Sequence, residues 1–315
     1  MKVVAAAALL PGEGPGDLRV PDPAILEEAL GIPRPRRVSR LARLAAASAL
    51  AAARRAARPR PWNDLAVLLG CGLGNEGETR PVVERTVAMA MGLADGPASP
   101  VHFANSVSNS ATFQVAQVLG TRGPNAVLSA EGHSFEAALW AARWTLRSGD
   151  APAVLCGGLD EWTDPREGPL ARMGLPPSAR LGEGGGWLWL EAGSPGDLPA
   201  DDLPLPGSIR PPMRLADPRN REALARMLGR LRPGSEGVLM VGAGVEPPDL
   251  EPLARFPLRH DPYLDRTGCF PTAAAAAIAA AFENPEEPPA VHVHLGRGPL
   301  GLLATLFHPG GAPCG

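Results

Sequence analysis

At 315 residues the chain is long enough to bury a large core, as one α/β unit or as two fused similar ones. Charged residues make up 20% and the formal net charge is −3, which leaves no electrostatic case for a nucleic-acid partner. Aromatics are only 4%, so small aliphatic packing must dominate the interior, and Lys2 is the only lysine, so the positive charge is almost all arginine.

The opening MKVVAAAALLPGEG has the length of a signal peptide, but its weak positive end and the immediate Pro-Gly-Glu-Gly favour a buried first strand over Val3 to Leu10. No other stretch approaches a membrane span, so no membrane partner is expected and a reducing cytoplasm is the default. Cys71, Cys156, Cys269 and Cys314 have no metal-type spacing, and Cys156 sits inside an apolar strand as an inert thiol would. A short helix is expected at Ala24 to Leu30. Arg37 to Ala57 is a strongly helix-forming run whose arginine face reads as solvated surface. Asn63 to Leu69 is a buried strand leading into Gly70-Cys71-Gly72-Leu73-Gly74. That cluster lacks the lysine of a phosphate loop and the full dinucleotide spacing, so no nucleotide cofactor is expected. Arg80 to Leu93 is a plausible helix.

The most informative run is Ser99 to Glu161, read as a helix, a turn at Gly120 and Gly123-Pro124, a strand over Asn125 to Ala130, a helix from Ser134 to Leu146, and a strand over Ala151 to Gly158. A sharp strand-to-helix turn is where several enzyme folds expose a nucleophile toward the positive end of a helix dipole. Here the turn is Ala130-Glu131-Gly132-His133-Ser134, with no thiol or hydroxyl at its apex. Further on, Leu181 to Glu191 forms a glycine-opened strand around Trp187 and Trp189, and Ala192 to Arg214 is the best internal linker. Asn220 to Leu231 (helix), Gly237 to Val241 (strand), Thr272 to Phe282 (alanine-rich helix), Val291 to Leu295 (strand), Gly296 to Gly301 (turn) and Leu302 to Phe307 (strand) complete the chain. Alternating strands and helices give an α/β class with largely parallel sheets, in two halves of similar rhythm without a visible sequence repeat.

In order along the chain, four motifs resemble the thiolase-fold ketosynthases, the β-ketoacyl synthases of fatty-acid and polyketide assembly. Ser99-Pro100-x-x-Phe103-x-x-Ser106-Val107-x-Asn109 is similar to the segment before the nucleophile in ketosynthase-like and chain-length-factor-like proteins of aryl-polyene-type clusters. Gly149-Asp150 through Gly157-Gly158-x-Asp160-Glu161 resembles the strand after the nucleophile helix, and Leu181 to Gly186 resembles the family's glycine-rich GEGAG-type turn. Gly268 to Ala274 and Gly296 to Gly301 stand where the C-terminal motifs belong. The resemblance implies a thiolase-like fold of two related α/β halves in five αβαβα layers, here taken as 1–195 and 196–315.

It also implies a cysteine nucleophile and two histidines, and all three positions are changed. Counting back from Ala141-Ala142, the cysteine position holds Glu131; the first histidine position holds Val241, the second Cys269, and Leu264 stands nearest the usual lysine. A carboxylate is no thioester nucleophile without activation. An anion there would also oppose a malonyl carboxylate and its enolate, although a decarboxylase remains the runner-up activity. His133, two residues on, invites an acid–base pairing with Glu131 in a decarboxylase or acyltransferase, against the plainer reading of a helix-start or interface contact. Cys269 as a displaced nucleophile stands against a partly buried thiol beside Phe270 and Pro271. His292 and His294 alternate on one strand face without a third ligand, so no metal is expected. Glu183 and Glu191 read as structural, and Asp160-Glu161 as satisfying backbone or arginine donors at a strand end.

The resulting expectation is a non-condensing, chain-length-factor-like subunit that pairs with an active ketosynthase and serves an acyl carrier protein. A self-paired scaffold is the other non-enzymatic reading. The resemblance implies pairing through the region Asn105 to Gln117 and the strand before Glu131, with Phe103, Asn109, Phe113 and Phe135 near the interface or tunnel. The short stretch between Glu161 and Leu181 implies a reduced substrate lid.

Overall fold

The computed structural model describes residues 1–12, 18–33, 35–162, 164–193, 203–231, 237–285 and 290–310. The expected 195/196 boundary and Cys314 lie outside them. The opening apolar run forms β1, Lys2–Leu9. Helix α1, Pro23–Leu30, is capped by Asp22, whose carboxylate accepts from the Ala24 amide at 2.7 Å, and it closes on Gly31 at φ 63. Helix α2, Arg40–Arg55, follows Ser39 and is buried along most of its length.

Of the arginines of α2, Arg54 and Arg55 stay exposed as expected, whereas Arg40 and Arg43 leave the solvated face. Arg43 forms a two-pronged pair with Glu27 at 2.7 and 2.6 Å, Arg40 does the same with Glu183 at 2.8 and 2.7 Å, and Arg55 reaches Glu283 and the Ala6 carbonyl. Planar guanidinium forks let an alanine-rich helix sit deep in the protein while its charges stay paired.

The N-terminal half continues with β2 (Ala66–Gly70), α3 (Glu76–Ala90), α4 (Pro100–Ser106), α5 (Ser110–Leu119), β3 (Asn125–Leu128), a 3₁₀ turn (Glu131–His133), α6 (Ser134–Ser148), β4 (Ala153–Asp160), α7 (Glu167–Arg172) and β5 (Gly184–Glu191). The single helix expected after Ser99 is two, because the chain breaks at Val107 to Asn109. In the second half come β6 (Ser208–Ile209), β7 (Met213–Arg214), α8 (Pro218–Leu228), β8 (Gly237–Val241), α9 (Pro247–Leu250), β9 (Leu258–Asp261), α10 (Tyr263–Thr267), α11 (Ala273–Glu283), β10 (His292–Gly298) and β11 (Gly301–His308). The stretch taken as a linker thus carries two short strands: β6 joins β1 to β11, and β7 also lies on β11.

The strands run in the order β3-β2-β4-β5-β1-β6-β11-β10-β8-β9. On each side of β6 the pattern repeats. Strand β2 is parallel to β3 and β4, and β5 is antiparallel to both β4 and β1; likewise β8 is parallel to β9 and β10, and β11 is antiparallel to β10, β6 and β7. The sheets are therefore mixed rather than largely parallel. The antiparallel β5 and β11 each follow a strand they pair with, so no crossover helix is needed there.

Three apolar cores stack these elements. The first joins α2 and α5 to one face of the N-terminal strands, with Leu44, Leu69 and Leu155 at its centre. The second holds α6 and α11 between the inner faces of both halves, from Leu68 and Leu190 to Val238 and Phe307. The third lays α8 on the outer face of the C-terminal strands. Helices, strands, helices, strands, helices: five layers result, with α6 and α11 in the middle. Alanines along α11 let the neighbouring strands approach closely. Among the described residues no helix is long and apolar enough to cross a membrane.

Candidate functional site

The turn between β3 and α6 keeps the form of an exposed elbow. Glu131 has φ 48, a left-handed conformation that costs an ordinary L-residue about 1–2 kcal/mol. Ser134 closes the turn, donating from Oγ to the Glu131 carbonyl at 2.7 Å and accepting from the Ala130 amide at 2.9 Å. Glycine at 70 is required because a Cβ there would collide with the Ser134 backbone. The Glu131 side chain is exposed.

Each central helix is pinned at its start by the opposite half. His133, fully buried ahead of α6, donates from Nε2 to the Gly296 carbonyl at 3.2 Å and accepts at Nδ1 from the Leu300 amide at 3.3 Å. Burial holds this imidazole below its usual range and neutral. Both ring nitrogens are thereby committed to the β10–β11 hairpin, which leaves His133 no nitrogen to share with Glu131. At α11, Asp160 from the end of β4 accepts from the Thr272 amide and hydroxyl at 3.0 and 2.8 Å, and from the amides of Gly72 and Leu73 at 2.8 and 2.7 Å. Burial pushes the Asp160 carboxyl up, against the pull of these hydrogen bonds. Glu183, fully buried, accepts from Arg40 and from the amides of Val20 and Trp162, with Glu161 3.8 Å from the same arginine.

A cavity of about 100 Å³ lies where the two halves meet. Glu131 and Gly132 line it from the elbow, Gly242 and Ala243 from the end of β8, and Phe270 and Pro271 from the start of α11. The three turns named in the sequence therefore converge, but of Glu131, Val241 and Cys269 only Glu131 lines the space. Cys269 is half-buried, and burial raises its thiol above the usual range, which opposes a nucleophilic role. The polar groups that do face the cavity are ones the sequence did not single out for it: Arg172, Tyr263, His294 and Arg297. His292 instead stacks on Phe307 at 4.8 Å. Arg172 donates to the carbonyls of Gly72 and Leu73 at 3.0 and 3.2 Å, so the short segment after Glu161 still reaches the site through α7. Arg297 pairs through both ends of its fork with Asp249.

A second, more open cavity of about 420 Å³ shares Leu73 and Arg172 with the first and runs between α3, α5 and β3. Around it the surface is uncovered. No residue of α3 or α4 is buried, and Val87, Met91, Leu93, Phe103 and Phe113 are each more than half exposed. Asn109 is exposed between α4 and α5. Phe135 differs from the other aromatic candidates: it is fully buried in the middle core and does not line the cavity beside Glu131.

Residues 29–167 match the family model for the β-ketoacyl synthase N-terminal domain. The whole chain superposes on solved ketosynthase structures. It resembles the ishigamide ketosynthase/chain length factor with TM-score 0.68 and 18% identity, covering 98% of both chains. It resembles a type II polyketide synthase structure, an acyl-carrier protein in complex with its ketosynthase bound to the hexaketide, with TM-score 0.67, 12% identity and 98% of both chains covered. A β-ketoacyl synthase from Burkholderia phymatum STM815 superposes with TM-score 0.65 and 12% identity, over 98% of this chain and 99% of that one.

Residues 29–167 thus carry the likeness to the β-ketoacyl synthase N-terminal domain, and the chain as a whole shares the fold of the solved ketosynthases. No curated protein matches it by sequence. In this ketosynthase-like chain the elbow backbone is present while its apex carries a carboxylate. The signals that could have revealed the remaining lining groups are faint: His294 was noticed only for its alternation with His292, and Tyr263, the only tyrosine, lies in a polar stretch without periodicity.

Proposed function

We propose that this chain is a non-condensing, chain-length-factor-like subunit that pairs in the cytoplasm with an active ketosynthase and serves a carrier-bound acyl or polyketide chain. The observation that carries the reading is the elbow: a strained turn of the kind that exposes a nucleophile, kept at φ 48 but presenting Glu131. A solved relative described as a ketosynthase/chain length factor, and another described as a ketosynthase bound to its acyl-carrier protein, support the partners. The uncovered apolar face on α3, α4 and α5, beside the open edge of β3, supports pairing, since contiguous exposed apolar surface marks interaction sites. We assign the two halves to 1–195 and 196–315. The acyltransferase reading built on Glu131 with His133 loses its base, because backbone groups hold both imidazole nitrogens.

Co-expression with a candidate ketosynthase tests the proposal. A stable 1:1 heterodimer, with condensation only when both chains are present, is the expected result. Release of carbon dioxide from malonyl-carrier protein by this chain alone, lost in Glu131→Ala, would make it a decarboxylase instead. A self-paired dimer indifferent to every ketosynthase offered would make it a scaffold.

A further inference from the structure

Three buried polar groups from three distant parts of the chain meet behind the cavity. Tyr263 Oη lies 3.1 Å from His294 Nε2, and His294 Nδ1 lies 3.7 Å from Glu136 Oε1. All three side chains are essentially fully buried, and Glu136 Oε2 has no hydrogen-bond partner. A buried carboxylate without partners is costly, and such a group keeps its proton instead. Burial accordingly raises the Glu136 carboxyl to about 7 and lowers the His294 imidazole to about 3.

The pair at the front of this chain faces open space. Gly242 lines the cavity, and a Cβ in its place would stand 3.4 Å from both His294 Nε2 and Tyr263 Oη. Glycine therefore leaves room for a ligand atom to approach the hydroxyl. A cavity of about 150 Å³ holds benzene, so this one takes a group smaller than a ring. Phe270, Ala273 and Ala274 are among its walls, which suit a short carbon chain.

We propose that Tyr263, oriented by His294 and Glu136, binds the carbonyl oxygen of a short acyl thioester in this cavity. The thioester class rests on the function proposed above; the carbonyl contact rests on the three side chains. At 3.7 Å from Nδ1, Glu136 acts on His294 through its charge: with the carboxyl protonated, no anion draws the imidazole proton to Nδ1, so Nε2 carries it and donates to Tyr263 Oη. The phenolic hydrogen is then free to point into the cavity. When Glu136 is ionised, Nδ1 carries the proton, Nε2 accepts from the phenol, and the donor turns away from the ligand. Tyr263 is thus the binding group; His294 and Glu136 are positioning residues.

Other titratable and charged groups nearby do not reverse this assignment. His133, from the turn before α6, is held neutral, and the buried thiol of Cys156 on β4 is raised well out of the neutral range. Cys269 near Tyr263 is raised as well, and Asp261 is tied to Arg266. Glu131, Arg172 and Arg297 line the cavity's other walls, the last paired to Asp249.

The test titrates the full chain with S-butyryl-N-acetylcysteamine and with S-butyl-N-acetylcysteamine, its thioether counterpart without the carbonyl. The thioester is expected to bind about tenfold more tightly, and Tyr263→Phe to remove that difference while leaving thioether binding unchanged. Wild-type affinity for the thioester should fall as pH rises through about 7, a loss absent in Glu136→Gln. If Tyr263→Phe does not fold, the Glu136→Gln profile decides alone. Equal binding of the two probes, no binding of either, or a pH profile unchanged in Glu136→Gln overturns the inference. None of these outcomes bears on heterodimer formation, which is measured separately.

Discussion

The two halves repeat one strand order yet finish it differently. The sheet path ends at β3 on one side and β9 on the other. Strand β3 reads Asn-Ala-Val-Leu, beside helices with exposed Val87, Phe103 and Phe113. Strand β9 reads Leu-Arg-His-Asp, with Arg259 and His260 exposed. Charged side chains blunt an open edge, whereas an apolar edge flanked by apolar helices is a template for association. The same topology therefore yields one apolar edge and one charged edge. The pins of the central helices differ as well: a carboxylate holds α11 and a neutral imidazole holds α6. An anion at a helix start gains from the helix dipole as well as from its hydrogen bonds, so the α11 pin is expected to be the stronger.

Breaking the stronger pin should have the largest effect. Asp160→Ala strips the acceptor from three amides and a hydroxyl together, and is expected to cost about 3–5 kcal/mol in urea unfolding. Next comes pH. Because Glu136 binds its proton more tightly when folded, its stabilising contribution is complete below the unfolded pKa near 4.5 and is lost as pH rises through about 7. His294 has the opposite sign: its contribution is complete above 6.5 and lost as pH falls through about 3. Thermal unfolding of Glu136→Gln should show a smaller alkaline decline than wild type, by up to about 3 kcal/mol.

Removing the weaker pin should cost less. His133→Leu leaves the Gly296 carbonyl and the Leu300 amide without their partner, a loss of about 1–3 kcal/mol by denaturant titration. A cost equal to that of Asp160→Ala would erase the proposed difference between the pins. Phe113→Asp should shift the stability of the lone chain by no more than about 0.5 kcal/mol, because the side chain is already in water. Sedimentation with a ketosynthase partner should nevertheless show the complex lost. Retention of the complex would move the interface away from β3.

Long apolar runs made the framework legible. Strands such as Gly237–Val241 and helices such as α6 and α11 were visible because a buried element must be apolar along a face or throughout. Strand β9 and helices α9 and α10 were not, being short and polar at their surfaces. The elbow could be placed from Ala130 to Ser134, but its neighbours could not. Glu136, Tyr263 and His294 lie 31 or more residues apart in sequence, and only the meeting of α6, α10 and β10 makes them one group. Arg40 and Arg43 of α2 were misread for a related reason: charge on a helix shows that partners are needed, and Glu183 and Glu27 are identified only by the fold.

Arg172 gives the two cavities a movable wall. Its guanidinium stands between them on two hydrogen bonds to neutral carbonyls, each with a net value of about 0.5–1.5 kcal/mol. Swinging it aside would join the uncovered face of α3 and α5 to the space beside Glu131.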